Sequence, residues 1–211
     1  MENLARLLGL VKLSIYKVIY RYKLVFHFTT FVHPFATITM KKNASLYLGE
    51  KVRIEKGVTL SVNIDGDLNI AKAVCLRKYS YFEVGTGAKL KIGEGTFFNR
   101  NAQIVCMNDI YLDKHIAIGT GVSMFDHDHY YFADCVQNWG LSKKGSIYVD
   151  RDVWIGANAI LLRNCRIGHN AVIAAGVVVR EEVSANTLMY LDKKSYILKD
   201  VPSQESKPST Q

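Results

Sequence analysis

The sequence predicts an all-β solenoid, a parallel β-helix of hexapeptide repeats with an N-terminal amphipathic α-helix and a protruding loop. Large apolar residues recur every six positions from Leu48 onward, an apolar arc at helical spacing precedes them, and residues 125–146 interrupt the period. The 211 residues are 49% hydrophobic and 22% charged, which is typical of a globular chain and excludes a disordered or fibrous one. One domain fits this length.

Residues 4–26 predict a basic amphipathic helix. On a wheel of about 100° per residue, nine apolar or aromatic residues fall in one arc of roughly 120°, and the basic residues lie outside it. The arc contains Leu4, Leu7, Leu8, Val11, Ile15, Val18, Ile19, Tyr22 and Phe26. Such a helix packs on the body or on a neighbouring subunit, or it lies in a membrane surface. A membrane-spanning helix is less favoured, because the charge-free run at 24–40 contains two histidines and a proline.

The period of six indicates a triangular solenoid. It is cleanest at Val149, Ile155, Leu161, Ile167, Ile173 and Val179, whereas its phase slips by two or four residues in the preceding half. Three hexapeptides complete one coil, and each short strand directs one large and one smaller residue inward. An isolated stack exposes its end coils. We therefore predict an N-terminal cap or anchor at 1–40, the coil at 41–187, a C-terminal cap at 188–202 and a disordered tail at 203–211.

Charge and cysteine content narrow the class of protein. Lys and Arg number 27 against 19 Asp and Glu, and the resulting net charge of +8 attracts polyanions, phosphorylated cofactors or anionic lipid headgroups. The four cysteines form no CxxC pair, which disfavours a zinc site or a disulfide-rich secreted scaffold. The N-terminal segment does not resemble a signal peptide, so we expect a cytoplasmic protein, peripheral at the inner membrane surface if the helix is an anchor. We expect no nucleic-acid partner.

The interruption of the repeat at 125–146 is the predicted functional site. It contains the run DHDH at 126–129, followed by Trp139 and a lysine pair. Insertions in a solenoid form loops at a corner, and binding sites are often built on such loops. On an extended segment, His127 and His129 would point to one side and the two aspartates to the other. A histidine, with a pKa of about 6.5, is the usual general base for a hydroxyl group.

Two other interpretations of this loop stay open. A polar cluster without a catalytic role has the same composition. A metal site is the second alternative, because two histidines at a spacing of two can chelate an ion. Catalytic zinc takes three protein ligands and keeps one open position, so the third ligand would come from His115 or from another subunit.

The repeats resemble a known superfamily. Residues 153–161 read VWIGANAIL, and residues 167–176 read IGHNAVIAAG. Over roughly 48–183 the chain looks like the left-handed β-helix acyltransferases of the hexapeptide-repeat superfamily. It is most similar to bacterial sugar O-acetyltransferases that modify cell-surface polysaccharides. The resemblance implies a left-handed coil, acetyl-CoA as co-substrate without a metal, a sugar or polysaccharide acceptor, and a homotrimer.

The resemblance also implies roles for individual residues. Its essential histidine deprotonates the acceptor hydroxyl, which then attacks the thioester directly, and this histidine corresponds to His127. His129 is the alternative, because relatives with a longer turn shift the alignment by two residues. The acceptor-binding asparagine of the family falls on Asn99, and Trp139 is a second candidate for substrate binding. A turn-stabilising asparagine is the alternative interpretation of Asn99.

The donor side of the site departs from the family pattern. The resemblance implies that pantetheine lies in a groove between subunits, against small residues that permit close approach to the backbone. These residues are Ala157, Ala175 and Gly176. The segment 188–194 lacks the glycine and proline that relatives carry there. We therefore predict replacement phosphate contacts, since Arg and Lys suit phosphate oxygens, although a solvated basic surface would look the same. The candidates are Arg180, Lys193 and Lys194.

Two further function classes stay open. A metal-dependent hydratase of the carbonic anhydrase-like branch has the same coil, but its histidines are more widely spaced than those at 126–129. A non-catalytic glycan-binding solenoid is favoured by the altered donor segment. A nucleotidyltransferase is disfavoured, because nothing before Leu48 has the strand–helix alternation of a nucleotide-binding domain.

Overall fold

The computed structural model describes residues 2–132 and 135–191, except for the side chains of residues 2, 3, 22, 132 and 135–141. Helix α1 (Glu2–Tyr20) continues into a 3-10 turn at Arg21–Lys23 and is followed by a coil of three parallel sheets. The coil makes about seven turns and is a left-handed β-helix, which confirms the predicted fold class.

Each side of the triangular prism is one sheet, and each turn adds one strand to every sheet. The first sheet contains Leu24–Phe26, Ser45–Leu48, Asp67–Ile70, Lys89–Ile92, Asp109–Leu112, Ser146–Val149, Arg166–Ile167 and Glu182–Val183. The second sheet contains Phe31–Val32, Arg53–Ile54, Cys75–Leu76, Phe97–Phe98, Ala117–Ile118, Trp154–Ile155, Val172–Ile173 and Leu188–Met189. The third sheet contains Thr37–Met40, Thr59–Val62, Tyr81–Val84, Gln103–Cys106, Ser123–Phe125, Ile160–Leu162 and Val178–Val179.

One continuous core runs along the axis of the prism. Equivalent inward residues of successive turns lie in register, as in the column Leu46, Leu68, Leu90 and Ile110, each at most 1% exposed. Phe82 and Phe98 are fully buried in this core, and their rings meet edge to face at 5.1 Å. Every turn therefore buries its apolar residues against its two neighbours, as expected of a solenoid.

The number of residues per turn falls along the chain. Apart from the turn that contains residues 125–146, paired residues of the first sheet are 22, then 20, then 18 and finally 16 positions apart. Examples are Leu24 with Leu46, Lys89 with Asp109, Tyr148 with Arg166, and Arg166 with Glu182. In the 22-residue turns, most strands of the first and third sheets have four residues and supply two inward side chains, whereas second-sheet strands have two residues. These additional residue pairs explain the slips in the period of six.

The solenoid begins earlier than predicted. The strands before residue 41 form a complete first turn, paired in register with the second, so residues 24–40 are part of the coil and not of a cap. Thr30 and Ala36 point inward in this turn and are at most 1% exposed. The period of six continues through this turn in the large series Phe26, Val32 and Ile38, whereas the companion positions Thr30 and Ala36 are small or polar.

The C-terminal boundary also differs. Leu188–Met189, predicted to open the C-terminal cap, pair with Val172–Ile173 as the last strand of the second sheet. Residues 192–211, which include most of that predicted cap and all of the predicted tail, lie outside the described residues.

Helix α1 packs on the first turn through a narrow face. Gly9 and Leu13 are buried, and a Cβ atom on Gly9 would lie 1.9 Å from the carbonyl oxygen of Val32. The Nζ of Lys12 donates hydrogen bonds to the carbonyl oxygens of Pro34, at 2.9 Å, and Ala36. Burial lowers the pKa of Lys12. The helix thus contacts the backbone of the first turn at the N-terminal end of the coil.

The apolar arc of α1 does not pack on the body of the protein. Seven of its side chains are 47–78% exposed: Leu4, Leu7, Leu8, Val11, Ile15, Val18 and Ile19. Phe26 is half-buried against the core. Among the helices that the structure describes, none is long and apolar enough to cross a membrane.

Candidate active site

The interruption of the repeat is a two-stranded arm rather than an irregular loop. His127–Phe132 and Cys135–Lys144 pair antiparallel, and the arm leaves the coil at the corner between the third and first sheets. Its base is closed by a hydrogen bond from Gly145 N to Asp126 O at 2.7 Å. The first histidine of the DHDH run therefore lies where the arm joins the rigid coil.

Asp126 is a fully buried carboxylate at this corner. Its side chain is 0% exposed, and its two oxygens accept hydrogen bonds from the backbone N–H groups of Met107, at 2.7 Å, and Asn108, at 2.8 Å. Both donors belong to the turn below. Two backbone donors stabilise the charged form of a carboxylate and offset the cost of burying it.

His127 is oriented by Asp126. Its side chain is only 10% exposed, and its Nδ1 lies 3.3 Å from Asp126 Oδ1. When Nδ1 carries the proton shared with this carboxylate, Nε2 keeps its lone pair and can accept a proton. The two aspartates were expected on the side opposite the histidines. That expectation is wrong for Asp126, because the chain bends at this corner before the extended segment begins.

His129 lies next to His127 but in a different environment. The two rings meet at 5.5 Å and are almost perpendicular, while His129 is exposed. It lines a cleft of about 530 Å³ that also contains Lys143, Arg163 and Arg180. Asp128 forms an ion pair with Arg163 across this cleft. The arrangement joins one shielded histidine with a cationic cleft at the same corner.

Asn99 lies at another corner of the prism. It directly follows the second-sheet strand Phe97–Phe98, and its Oδ1 accepts a hydrogen bond from Arg100 N at 2.9 Å. Its backbone carbonyl accepts a hydrogen bond from Ser80 Oγ at 3.2 Å. Because His127 follows a strand of the third sheet, the two side chains stand at successive corners of one chain.

The small residues predicted to contact pantetheine stack at the corner of Asn99. The N–H of Gly176 donates to the carbonyl oxygen of Ala157 at 2.9 Å, and Ala175 precedes Gly176. A Cβ atom on Gly176 would meet nothing within 4 Å, whereas one on Gly156 would lie 2.5 Å from Ala175 N. The backbone here is therefore open toward solvent and tightly stacked along the axis.

The predicted site residues sort into two groups. His127, His129 and Arg180 lie at the corner between the third and first sheets. Asn99, Ala157, Ala175 and Gly176 lie at the corner between the second and third sheets. The outer face of the third sheet separates the groups within one chain. Trp139, as a side chain, and Lys193 and Lys194 lie outside the described residues.

A third ligand for a metal does not adjoin the histidine pair. His115 lies at the corner between the first and second sheets, where its Nδ1 is 3.4 Å from Asp152 Oδ1. Within residues 2–132 and 135–191, no group of three or more His, Cys, Asp or Glu side chains could hold a metal ion.

The contact between Asp126 and His127 was not predicted from the sequence. A signal for the burial of this aspartate was present, because Val122, Met124 and Asp126 continue one alternating series of inward positions. A carboxylate in core phase next to a histidine predicts a buried acid that orients the imidazole.

The coil of six-residue repeats carries a histidine–aspartate pair at the base of an arm. The family model for bacterial transferase hexapeptide (six repeats) matches residues 146–181. The galactoside O-acetyltransferase of Lactococcus lactis subsp. lactis (strain IL1403) is 30% identical over 104 residues, which cover 49% of this chain and 50% of that protein. The resemblance to the hexapeptide-repeat superfamily and its sugar O-acetyltransferases is thereby confirmed.

Solved structures have a similar fold. A hexapeptide-repeat containing acetyltransferase from Vibrio cholerae O1 biovar eltor, complexed with acetyl coenzyme A, is 26% identical, with a TM-score of 0.51. The match covers 59% of this chain and 65% of that one. The polySia specific acetyltransferase NeuO has the same fold at 15% identity, with a TM-score of 0.56 and coverage of 89% and 88%. The chain spans about half the length of the Lactococcus relative.

Proposed function

We propose that this protein is an acetyl-CoA-dependent O-acetyltransferase that acts on a sugar hydroxyl. The observation that carries the proposal is the contact between His127 Nδ1 and the buried carboxylate of Asp126, because it leaves Nε2 as a fixed proton acceptor at the break in the repeat. The names of the Lactococcus and Vibrio relatives, both acetyltransferases, support the reaction class.

The reaction needs a base and correct positioning rather than a covalent enzyme intermediate. Nε2 of His127 takes the proton of the acceptor hydroxyl while the oxygen forms a bond to the thioester carbonyl carbon. The carbon–sulfur bond then breaks, and the leaving thiolate takes the proton back from the imidazolium, so that the products are the acetyl ester and free CoA. General base catalysis of this kind contributes about 10² to 10⁴-fold to the rate. Asp126 is a positioning residue, because it acts through His127.

The remaining predicted residues take supporting roles in this proposal. Asn99 orients the sugar, since a carboxamide both donates to and accepts from hydroxyl groups. The open, small-residue corner formed by Ala157, Ala175 and Gly176 holds pantetheine. Arg180 binds a phosphate of the donor, together with Lys193 and Lys194, and Trp139 contacts the acceptor.

The two groups of residues come together only between chains in this proposal. We propose a homotrimer in which the corner of His127 in one chain faces the corner of Asn99 in the next. The third-sheet face between these corners supports such a contact, because five of its outward side chains near the arm are apolar and half-buried or exposed, beside the polar Gln103 and Ser123. The five apolar side chains are Val105, Phe125, Ile160, Leu162 and Val178.

Donor binding and turnover test the proposal. Calorimetric titration with acetyl-CoA and with CoA should give one site per chain. His127→Ala should retain this binding and the thermal stability, yet lose at least 100-fold in acetyl transfer to a screen of sugars. His129→Ala is the matched control and should retain more than a third of the activity. An active His127→Ala variant beside an inactive His129→Ala variant would transfer the role to His129. Absence of donor binding by the folded protein would favour the glycan-binding solenoid.

We further propose that the acceptor belongs to a cell-surface polysaccharide or its lipid-linked precursor, and that α1 holds the enzyme at the inner membrane surface. The seven exposed apolar side chains of α1 are flanked by Arg6, Lys17 and Arg21, which are also exposed. Residues 1–42 contain seven Lys and Arg against one acid, a net +6 of the chain's +8. An apolar stripe bordered by basic residues suits an anionic lipid surface.

Vesicle flotation tests the anchor. The protein should float with phosphatidylglycerol vesicles and much less with phosphatidylcholine vesicles, and Leu7→Glu with Val18→Glu should abolish flotation. Ile64→Glu removes an apolar side chain that is 42% exposed on the coil and is the control. If the helix variant instead dissociates an oligomer in sedimentation without changing flotation, α1 is a subunit contact and the anchor is wrong.

A further inference from the structure

The corner that carries Asn99 extends as one ladder along most of the coil. The carbonyl oxygen at each turn accepts a hydrogen bond from the N–H group of the next turn: Lys78 from Asn101 at 3.2 Å, Arg100 from Gly121 at 3.0 Å, and Thr120 from Asn158 at 2.8 Å. Lys56 and Ala157 occupy the same position at earlier and later turns. Successive turns are about 4.8 Å apart, as neighbouring strands in a sheet are. The ladder therefore shows the order in which the corner side chains follow one another along the axis of the coil.

The character of this corner changes at the level of Asn99. Toward the C-terminus its residues are small, and they form the corner proposed above for pantetheine. Toward the N-terminus the corner and the adjoining second sheet are basic, with Arg100, Lys78, Arg77, Lys56 and Arg53. Asn99 stands at the junction between the two halves, directly above Arg77, because Arg77 N donates to Phe98 O at 3.1 Å.

The basic half is organised around one carboxylate. Glu55 Oε1 lies 3.8 Å from Arg53 Nε, and Glu55 Oε2 lies 3.6 Å from Arg77 Nε and accepts a hydrogen bond from Lys78 N at 3.3 Å. Both arginines thus direct Nε toward the same acid. One carboxylate neutralises only one of the four cations Arg53, Lys56, Arg77 and Lys78, so this cluster keeps a net charge of +3.

Aromatic rings hold the guanidinium groups in place. The guanidinium carbon of Arg53 lies 5.1 Å from the ring centre of Phe31, and that of Arg77 lies 5.9 Å from the ring centre of Phe97. Arginines held by a ring and an acid are restricted before a ligand arrives, which lowers the entropic cost of binding. Arg77 Nε is buried and has no hydrogen-bond partner among the residues described.

These side chains line a cleft of about 420 Å³ whose wall also includes Ala5 of α1 and His33. Burial lowers the pKa of His33, and Lys56 and Lys78 lower it further. Four cations beside a single acid produce a positive potential, and a concave wall concentrates it.

We propose that this cleft is a subsite for an anionic group of the acceptor, a phosphate or carboxylate carried on the N-terminal side of the sugar that is acetylated. The inference rests on the proposed function, since it takes Asn99 as the contact for the reacting sugar. Lys78 lies about one turn and Lys56 about two turns from the level of Arg100, or roughly 5 and 10 Å along the axis. These lengths suit a neighbouring charged sugar or a sugar phosphate.

Binding of inorganic pyrophosphate tests the subsite without any acetyl transfer. Calorimetry at low salt should show pyrophosphate binding that weakens at least tenfold in Lys56→Gln/Lys78→Gln. The control Lys89→Gln/Lys91→Gln removes the same charge from the first sheet and should change affinity less than twofold. Equal weakening in both variants, or absence of binding to the wild type, would overturn the proposal. Both lysine pairs are on the surface, and thermal denaturation checks that each variant is folded.

Competition identifies the anion and separates the acceptor from other sources. At least one of glucose 1-phosphate and glucuronate should displace pyrophosphate, and neutral glucose should not. Displacement by the first compound indicates a phosphate group, and displacement by the second indicates a carboxylate group. Saturating CoA should leave pyrophosphate binding intact, because competition would make the cleft part of the donor site and overturn the assignment. Flotation of Lys56→Gln/Lys78→Gln with phosphatidylglycerol vesicles should match the wild type, since a loss would identify the anion as a lipid headgroup. Failure to bind CoA would count against the proposed function alone.

Discussion

At the residue scale, the corner at Asp126 holds the proposed catalytic pair in a fixed geometry. A buried carboxylate is costly unless its oxygens are satisfied, and here two backbone N–H groups and an imidazole satisfy them. The imidazole therefore contacts an acid fixed by the coil, although it sits at the base of an arm. Rigid support of this kind keeps a base oriented without help from the substrate.

The substitution Asp126→Asn tests whether this carboxylate orients the imidazole of His127. The amide would present NH₂ to a backbone donor or to Nδ1, so we expect a loss of about 1–3 kcal/mol in the free energy of unfolding. Turnover should fall by 100-fold or more, because the imidazole loses its tautomer. Chemical denaturation and steady-state kinetics measure the two effects. Asp128→Asn, at the exposed pair with Arg163, is the control, and equal losses in both variants would contradict the role of Asp126.

Two buried cysteines predict protection from alkylation. Burial raises the pKa of the Cys165 thiol to about 12, and burial together with the charge of Asp126 raises the pKa of Cys106. Folded protein at pH 8 should therefore leave both thiols unmodified by iodoacetamide, as read by mass spectrometry, and denatured protein should lose this protection. Because only the unfolded state ionises these thiols above about pH 9, the free energy of unfolding should fall as pH rises beyond that value. Rapid modification of folded Cys165 would contradict its burial.

At the element scale, helix α1 is attached by backbone proximity rather than by its apolar arc. Gly9 permits the contact with Val32, and Lys12 supplies hydrogen bonds to two carbonyl groups of the first turn. The residues that attach the helix to the coil are therefore different from the apolar residues that the helix exposes to solvent.

Substitution of Gly9 by valine should detach α1. A Cβ atom at this position cannot approach Val32 O, so the helix must shift away and expose the backbone of the first turn. Hydrogen exchange of residues 31–36 should accelerate at least tenfold in Gly9→Val. Ser14→Val introduces the same side chain on an exposed position of the helix and should leave exchange unchanged. Unchanged exchange in Gly9→Val would show that the contact is not required.

The sequence predicted the elements unevenly, for physical reasons. The period of six identified the coil after Leu48, because large inward residues at Ile155 or Leu161 are unambiguous. The first turn was not assigned to the coil, although Val32 and Ile38 continue the period, because Phe26 also fits the apolar arc of the helix. Its companion positions Thr30 and Ala36 carry little hydrophobic signal. The two paired strands of the arm were also not predicted, because their pairing depends on contacts between strands and not on a repeat. The sequence named both histidines, and their different burial depends on the corner at which the arm leaves the coil.

At the scale of the whole molecule, the separation of the two corners predicts shared sites. If each site combines His127 of one chain with Asn99 of the next, His127→Ala and Asn99→Ala chains should complement each other. Mixing the two inactive proteins under exchange conditions should recover about a quarter of wild-type activity, because one interface in four then has both intact residues. Each variant mixed with itself is the control. Absence of recovery despite exchange, measured by tagged chains, would place both residues in one chain's site.

Because the early turns all have 22 residues, the N-terminal half of the coil places its two ends at a regular spacing. Each such turn adds the same step of about 4.8 Å between the helix at one end and the histidine farther along. Repeating one turn, residues 46–67, would insert a copy that matches both of its neighbours in register. The chain would then carry its helix one step farther from the reactive corner. If α1 binds a membrane surface as proposed, the number of early turns sets the distance between that surface and His127.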